Sequence, residues 1–448
     1  MAAPFAGWTR DGAGRRVPAR SAPHVGGYAP PGTGKTRRWL SQAAVLWPGP
    51  ALVSSSKDDL MALVASRRAG PAALLDLRPV RAPQYPKAFV AHRFDPTTSI
   101  VTLEDASVAA QSMLSTSAVA LSGTAFRTGA DPGPWDQLAL APLTCLLYGG
   151  SPQATGLGME WTLETAENTG AGWAAAAAWS RDHLLHARVR SVLEMEPRQR
   201  DSVKITVTKV LTAWLLTARR DRQHPALDLS FFDDPAATLY LLTPADGTVA
   251  AQAIVLMDQL IDRQRAKAVQ SGQFPGIGLF LDEITNTPIP RLPQYLAEAR
   301  GLGCSICFAA QAGSQLDAVY GPLQGRAIRD VTPASLVMYG SHERDVMESA
   351  AFWAGKTTRS QQSHGGGPDD RSTNRQFGDA LEAAELLPRN TGEARLIPRG
   401  QPGQMVELID FDRFAGYLDE LRAAARGGRG GGACHGTSGR SAAESSRL

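Results

Sequence analysis

Residues Ala29 to Thr36 read Ala-Pro-Pro-Gly-Thr-Gly-Lys-Thr, between an extended run, His24–Tyr28, and a helical-looking segment, Arg37–Val45. Such a stretch is suited to hold phosphate. Glycines let backbone N–H groups close around an anion, and the helix that follows directs its positive end at it. Gly32, Thr33 and Gly34 are the expected cradle. Lys35 is expected to reach the β- and γ-phosphates of ATP, and the Thr36 hydroxyl to bind Mg2+. The first motif position is Ala29 rather than glycine, a small residue that still permits the turn.

A phosphate loop needs an acid to hold its metal. Ile277–Glu283 (IGLFLDE) is an apolar run ending in two carboxylates. Strands often end in acids, so this run gains meaning only with the loop. Asp282 would hold Mg2+ through water, and Glu283 would orient or deprotonate an attacking water, which points to hydrolysis rather than binding alone. Two further groups suit a multimeric motor. Gln311 follows the run Ser305–Ala310, where a polar side chain at a strand's carboxyl end can sense the γ-phosphate; a buried structural amide is the other reading. Arg300 follows a helical pattern and suits an arginine finger offered to a neighbouring subunit; a surface ion pair or a helix C-cap is the alternative.

The elements that must position these residues alternate in type. Short apolar runs lie at Ala51–Ser54, Ala72–Leu77, Phe89–Phe94, Thr238–Thr243, Ile277–Asp282, Ser305–Ala310 and Leu336–Tyr339. Runs of this length without alternation suit strands covered on both faces. Helical patterns at Leu103–Ser117, Val249–Ala268 and Leu292–Ala299 separate several of them, which predicts an α/β fold with a mostly parallel sheet. From Asp131 to about His224 the strand-like runs disappear. Trp135–Tyr148, Gly158–Glu167, Ala171–Arg190 and Arg198–Arg220 read as helices, an all-α insertion. Lys35 and Asp282 lie 247 residues apart, so this insertion must stand between the two halves of one site. The expected organisation is a flexible arm over 1–23 and a nucleotide-binding domain over 24–130 and 225–425. The insertion spans 131–224, and a disordered Gly/Arg/Ser tail occupies 426–448. Gln361–Asn374 reads as a polar loop.

Composition narrows the function. A chain of 448 residues, 43% hydrophobic and 20% charged, can bury a large core. Its net charge is +3, from 46 Lys and Arg against 43 Asp and Glu, which excludes a protein that coats nucleic acid through overall charge. Any DNA contact must come from local patches directed at the backbone. The candidates are Arg181, Arg188, Arg190, Arg198, Arg200, Lys204, Arg219, Arg220 and Arg222, for each of which a solvated helix face is the competing reading. Four cysteines make no disulfide framework, and Cys304 and Cys307, alone as a CxxC, are expected to be small core residues. Trp173, Trp179 and Trp214 are expected to pack in helix cores. The most apolar stretch, Leu138–Tyr148, is too short to span a bilayer, so the chain as written reads as cytoplasmic.

Four blocks, in order, resemble the TraG/TraD group of type IV secretion coupling proteins, ATPases of bacterial conjugation, in their actinobacterial form. They are APPGTGKT, the run ALVSSSKDDL with Lys57 to Asp59, Leu279–Gly321, and Ser335–Gly355. The resemblance implies a RecA-like P-loop NTPase fold interrupted by an all-α domain. It implies nucleotide contact at Gly32, Gly34, Lys35 and Thr36, metal and water chemistry at Asp282 and Glu283, and sensor and finger roles for Gln311 and Arg300. It further implies an ATP- and Mg2+-dependent motor that recruits and translocates DNA, possibly carrying bound protein. Relaxase or relaxosome proteins and secretion-channel ATPases would be its partners, in a homo-hexamer at the cytoplasmic face of the bacterial membrane. Members usually carry two transmembrane helices before the loop, whereas 28 residues precede Ala29 here. The expectation is a soluble variant or a start that omits an upstream anchor. Two rival readings stay open: another DNA-pumping RecA-like ATPase, and a catalytically dispensable adaptor that binds DNA or relaxase.

Overall fold

The computed structural model describes residues 3–79, 89–122, 133–218, 220–245, 249–271, 276–298, 303–364 and 371–427. Six of its described strands are buried along their whole length: β3 (Val25–Tyr28), β4 (Ala51–Ser55), β7 (Thr238–Leu242), β8 (Ile277–Leu281), β9 (Cys304–Ala310) and β10 (Ala334–Met338). With β5 (Ala72–Asp76) and the two-residue β6 (Val90–Ala91) they form a parallel array in the order β10-β3-β9-β8-β4-β7-β5-β6. Beyond β10 the sheet turns antiparallel through β13 (Glu393–Pro398), β14 (Gln404–Glu407), β1 (Trp8–Arg10) and β2 (Arg16–Pro18).

Side chains alternate between two cores, one on each face. In β8, Ile277, Leu279 and Leu281 enter one and Phe280 the other. Cys304 and Cys307 of β9 likewise separate onto opposite faces, so their sulfurs do not meet. One face is covered by α1 (Ser41–Leu46), α2 (Asp58–Ala65) and α14 (Phe411–Gly427), together with Phe5 and Trp8. The other carries α3 (Leu103–Ser122), α9 (Ala250–Ser271), α10 (Leu292–Glu298), α11 (Gly313–Tyr320) and α12 (Pro322–Val331).

The helices between β6 and β7 join that second core. They are α3 and then α4 (Pro134–Gly150), α5 (Gly158–Glu167), α6 (Ala171–Ser180), α7 (His183–Leu193) and α8 (Pro197–Ala218). Trp173 and Trp214 are buried among them, but Trp179, expected in the core, is 41% exposed. The single helix expected over Ala171–Arg190 is two. Arg181 takes a left-handed backbone with φ +52°, and the Asp182 carboxylate accepts the Leu185 N–H at 2.8 Å to start the next helix.

Three other expectations change. The expected N-terminal arm contains two strands over its described residues: β1 and β2 extend the sheet edge, and the Trp8 ring packs against Phe414 of α14 and against Phe5. The strand expected over Phe89–Phe94 shrinks to β6 at the opposite sheet edge. Of the polar segment Gln361–Asn374, expected as a loop, residues 361–364 and 371–374 belong to two paired strands, β11 (Lys356–His364) and β12 (Arg371–Asp379), matched from Lys356↔Asp379 to His364↔Arg371, and residues 365–370 lie outside the described residues. A polar strand pair has no hydrophobic alternation by which sequence could announce it. The tail lies outside the described residues beyond Gly427. Among the described residues, no helix is long and apolar enough to cross a membrane. The remaining helix, α13 (Arg344–Ala354), follows β10.

Gly27 of β3 shows how tightly the loop-bearing strand is packed: a Cβ there would lie 2.0 Å from the Trp39 ring. Gly27→Ala should therefore lower stability by roughly 1–3 kcal/mol. Gly12→Ala, where a Cβ meets nothing within 4 Å, should change little. Urea denaturation of the two variants checks the contrast.

Candidate nucleotide site

The site forms where the parallel strands end. Tyr28 of β3 lies beside Ala310 of β9, and Leu281 of β8 beside Phe308, so three strand termini carry the loop, Gln311 and the acid pair to one edge. The Ala29 N–H donates to the Ala310 carbonyl at 3.2 Å, and the Asp282 N–H to the Ser54 carbonyl at 2.9 Å. These bonds extend the ladders one residue past the strands and fix the first loop residue and the first acid.

In the loop, Gly32 and Gly34 take φ of +79° and +96°, conformations that a side chain resists. The Thr33 hydroxyl donates to the Pro30 carbonyl at 2.7 Å. Lys35, 8% exposed, donates from Nζ to the Ala29 carbonyl at 2.6 Å and the Pro30 carbonyl at 3.3 Å. Burial lowers its pKa, against the opposing pull of the Asp282 and Glu283 charges. A π-helical turn over Lys35–Leu40 runs from the loop into α1. Arg37 and Arg38 at its start lie against Asp410, with distances of 3.0 and 3.9 Å, which ties the loop's helix to the segment before α14.

Thr36 Oγ1 donates to Asp282 Oδ2 at 2.9 Å, so the two expected metal residues touch. Asp282 Oδ1 is buried and has no hydrogen-bond partner among the described residues. A buried carboxylate oxygen left this way is costly. Burial pushes the Asp282 carboxyl up to about 6, with the Thr36 hydrogen bond working against the rise. A hard carboxylate oxygen next to a threonine hydroxyl is the donor set that Mg2+ accepts, directly or through its own waters, so the residues fit that ion.

Glu283 has φ +56°; among the described non-glycine residues only Arg181 shares a positive φ. Held left-handed backbone of this kind costs roughly 1–3 kcal/mol and collects at functional sites. Its carboxylate accepts from Asn286 Nδ2 at 2.8 Å and from Ser56 Oγ at 3.4 Å. Sequence reading missed these two partners. Asn286 was recoverable as a neighbour one turn on from Glu283, but Ser56 comes from another strand's end and had no signal of its own. Ser55 Oγ stands 3.5 Å from Asp282 Oδ2, and Lys57 is exposed. Gln311 is half-buried and exchanges hydrogen bonds with Gln315, its N–H to Oε1 at 3.2 Å and its own Oε1 from Nε2 at 3.3 Å. Arg300 lies outside the described residues. The structure thus gathers Gly32, Thr33, Gly34, Lys35, Thr36, Asp282, Glu283 and Gln311 at one edge.

The arginines considered for DNA divide. Arg181, Arg188, Arg190 and Arg198 are exposed on the insertion. Arg200 donates to the Leu193 carbonyl, Lys204 lies 3.8 Å from Glu167, and Arg222 pairs with Glu160. Arg220 donates to the Asp221 carboxylate, and Arg219 lies outside the described residues.

Residues 276–391 match the family model described as the TraM recognition site of TraD and TraG. No curated protein sequence matches the chain. Among solved structures, the bacterial conjugative coupling protein TrwBdeltaN70 in its unbound monoclinic form aligns with a TM-score of 0.60 at 16% identity, covering 90% of this chain and 88% of that one. TrwB in complex with the non-hydrolysable GTP analogue GDPNP aligns at 0.57 and 16% identity, over 91% of this chain and 96% of that one. TrwB with ADP and Mg2+ aligns at 0.55 and 16%, over 90% and 88%. The fold is the RecA-like P-loop NTPase architecture of these proteins, and the chain resembles TraG/TraD-type coupling proteins in both sequence and fold.

Asp282 gives a direct check of the site's electrostatics. Its folded pKa lies above the ordinary 3.8, so its ionisation costs folding stability as pH rises from that value to about 6, and the cost persists above. Without divalent metal, Asp282→Asn, which keeps an acceptor for Thr36, should be more stable than wild type by roughly 1–3 kcal/mol at pH 8. The difference should shrink toward zero at pH 4. Urea denaturation in chelator at both pH values measures it, and an equal offset at the two would exclude charge as the cause.

Proposed function

From a chain that carries the TraG/TraD family segment on a coupling-protein fold, we propose an ATP-hydrolysing motor that recruits and translocates DNA, with or without bound protein, in conjugative type IV secretion. One observation carries the hydrolytic part: the Thr36–Asp282 contact leaves a second Asp282 oxygen buried and, among the described residues, unpartnered beside the phosphate loop. Mg2+ held there would neutralise phosphate charge. The backbone N–H groups of Gly32 to Thr36 surround the phosphates, and Lys35 exchanges its loop carbonyls for β- and γ-phosphate oxygens. Glu283, aimed by Asn286 and Ser56, orients the attacking water and accepts its proton. Gln311, at the end of the strand between the loop and the acid pair, reads the γ-phosphate position. TrwB structures that hold nucleotide analogues, and ADP with Mg2+, support the same cofactors here.

The rest of the reading follows from this site. Arg300 of a neighbouring subunit completes it, which makes a hexameric ring the working form. Residues 24–130 and 225–425 constitute the motor domain and 131–224 the insertion, whose exposed arginines Arg181, Arg188, Arg190 and Arg198 contact DNA through its backbone. The segment 276–391, with its family description, favours a relaxosome-type protein partner such as a relaxase or an accessory factor. Such a motor, together with secretion-channel ATPases, works at the cytoplasmic face of the membrane.

ATP turnover with Mg2+, measured alone and with single- or double-stranded DNA, tests the proposal. Lys35→Ala and Glu283→Gln should each lower kcat by about a hundredfold or more, with Glu283→Gln still binding Mg–ATP. Normal turnover in either variant would overturn the site assignment, and absence of turnover in the wild-type protein would leave an adaptor. Hydrolysis that neither form of DNA stimulates would favour a protein-substrate motor.

A further inference from the structure

Between the nucleotide site and the helical insertion lies a chain of charged contacts that hydrolysis does not require. It begins at Ser56, whose hydroxyl lies 3.4 Å from the Glu283 carboxylate. Two residues on, Asp58 opens α2 and accepts from Arg78 Nη2 at 2.8 Å. Arg78 follows β5 and also holds Asp76, from Nε at 3.0 Å and from Nη2 at 2.9 Å. Its side chain is 13% exposed and that of Asp76 3%. The Arg78 backbone carbonyl in turn accepts from Arg220 Nη1 at 2.6 Å, and the Asp76 carbonyl from Arg220 Nη2 at 3.3 Å. Arg220 lies just past α8, the last helix of the insertion, and donates to the Asp221 carboxylate. The end of α8 is also fastened to the start of α9, where Gln252 Nε2 donates to the Ala213 carbonyl at 2.8 Å and the Thr217 hydroxyl at 2.7 Å.

We propose that Asp58, Arg78 and Arg220 form a latch that transmits the content of the nucleotide site to the insertion, with Arg78 as its central positioning residue. The proposal rests on the nucleotide-site reading above. Three features carry it. The Ser56–Asp58 turn touches Glu283 at one end and Arg78 at the other, so a movement of the Glu283 carboxylate as its site fills pulls on the same turn that carries Asp58. Arg78 is a planar fork with a separate acid for each of two directions, a geometry that lysine cannot reproduce. Towards the turn after β5, Arg220 holds the Arg78 and Asp76 main-chain carbonyls, so a shift of that turn moves the end of α8 with it. A coupling route of this kind acts by biasing an element between two arrangements, and the element here is the C-terminal turn of α8 with the segment after it.

Amide hydrogen exchange on the full chain, with and without a non-hydrolysable ATP analogue and Mg2+, tests the latch by a readout other than turnover. In the wild-type protein the phosphate loop should gain protection, and exchange across the end of α8, residues 213–224, should change by threefold or more. Asp58→Asn leaves the Arg78–Asp76 pair in place and alters a carboxylate that is 42% exposed, so it preserves the fold. It should keep protection of the phosphate loop while the change at α8 falls below 1.5-fold, and Arg78→Lys should behave the same way. A wild-type response confined to the loop, or an undiminished α8 response in Asp58→Asn, would overturn the latch. Absence of protection at the loop itself would instead refute the nucleotide-site reading, and the latch would fall with it.

Discussion

Thr36 and Asp282 touch at 2.9 Å although they stand 246 positions apart in sequence, with the helical insertion between them. That contact depends on one constraint, the parallel order β3-β9-β8-β4, which brings the carboxyl ends of strands from distant segments to a common edge. Parallel strands need long crossovers, and the crossovers must pack on the two faces. Both faces are accordingly filled, by α1, α2 and α14 on one side and by α3, α9 and the insertion helices on the other. The all-α segment is therefore no appendage to the sheet. It sits in one of the crossovers that the site's geometry requires, and its core is continuous with the core beneath the strands.

The same constraint explains the polar economy of the site. Strand ends at a sheet edge leave backbone groups unpaired, and here the Ala29 and Asp282 N–H groups are used to extend the ladders. Two local costs stay at this edge: the buried Asp282 Oδ1, without a partner among the described residues, and the left-handed backbone of Glu283. Local rules of stability are relaxed at the two residues proposed to hold metal and water, and the packed β8 that carries them absorbs the cost. Charged contacts then run outward from this edge, from Glu283 through the turn after β4 to the end of α8.

Much of this was legible in the sequence because the relevant signals are local. The phosphate loop declares itself by glycines that must adopt positive φ, at Gly32 and Gly34. Fully buried strands declare themselves as unbroken apolar runs, and β4, β7, β8, β9 and β10 stand close to where such runs lie. Where the local signal is weak, the reading failed. The β11–β12 pair is polar on both strands, and its ladder is a main-chain property that no side-chain pattern reports. The segment 1–23 was expected as a flexible arm, and no run of apolar residues in it announces a strand. In the fold, β1 and β2 join the sheet edge, where Trp8 packs against Phe414 of α14, from the far end of the chain.

The sequence alone determined the α/β framework and pointed to the residues proposed for the chemistry: a glycine-bearing loop suited to phosphate and an acid pair suited to metal and water. It did so because backbone freedom, charge and strand burial are written in short stretches of residues. Tertiary structure decided which distant groups complete that chemistry, such as Ser56 on Glu283, Asp410 on Arg37, and Arg78 between Asp58 and the end of α8. These pairs join segments whose neighbourhood is fixed by strand order, and strand order is a property of the whole packed sheet rather than of any stretch within it.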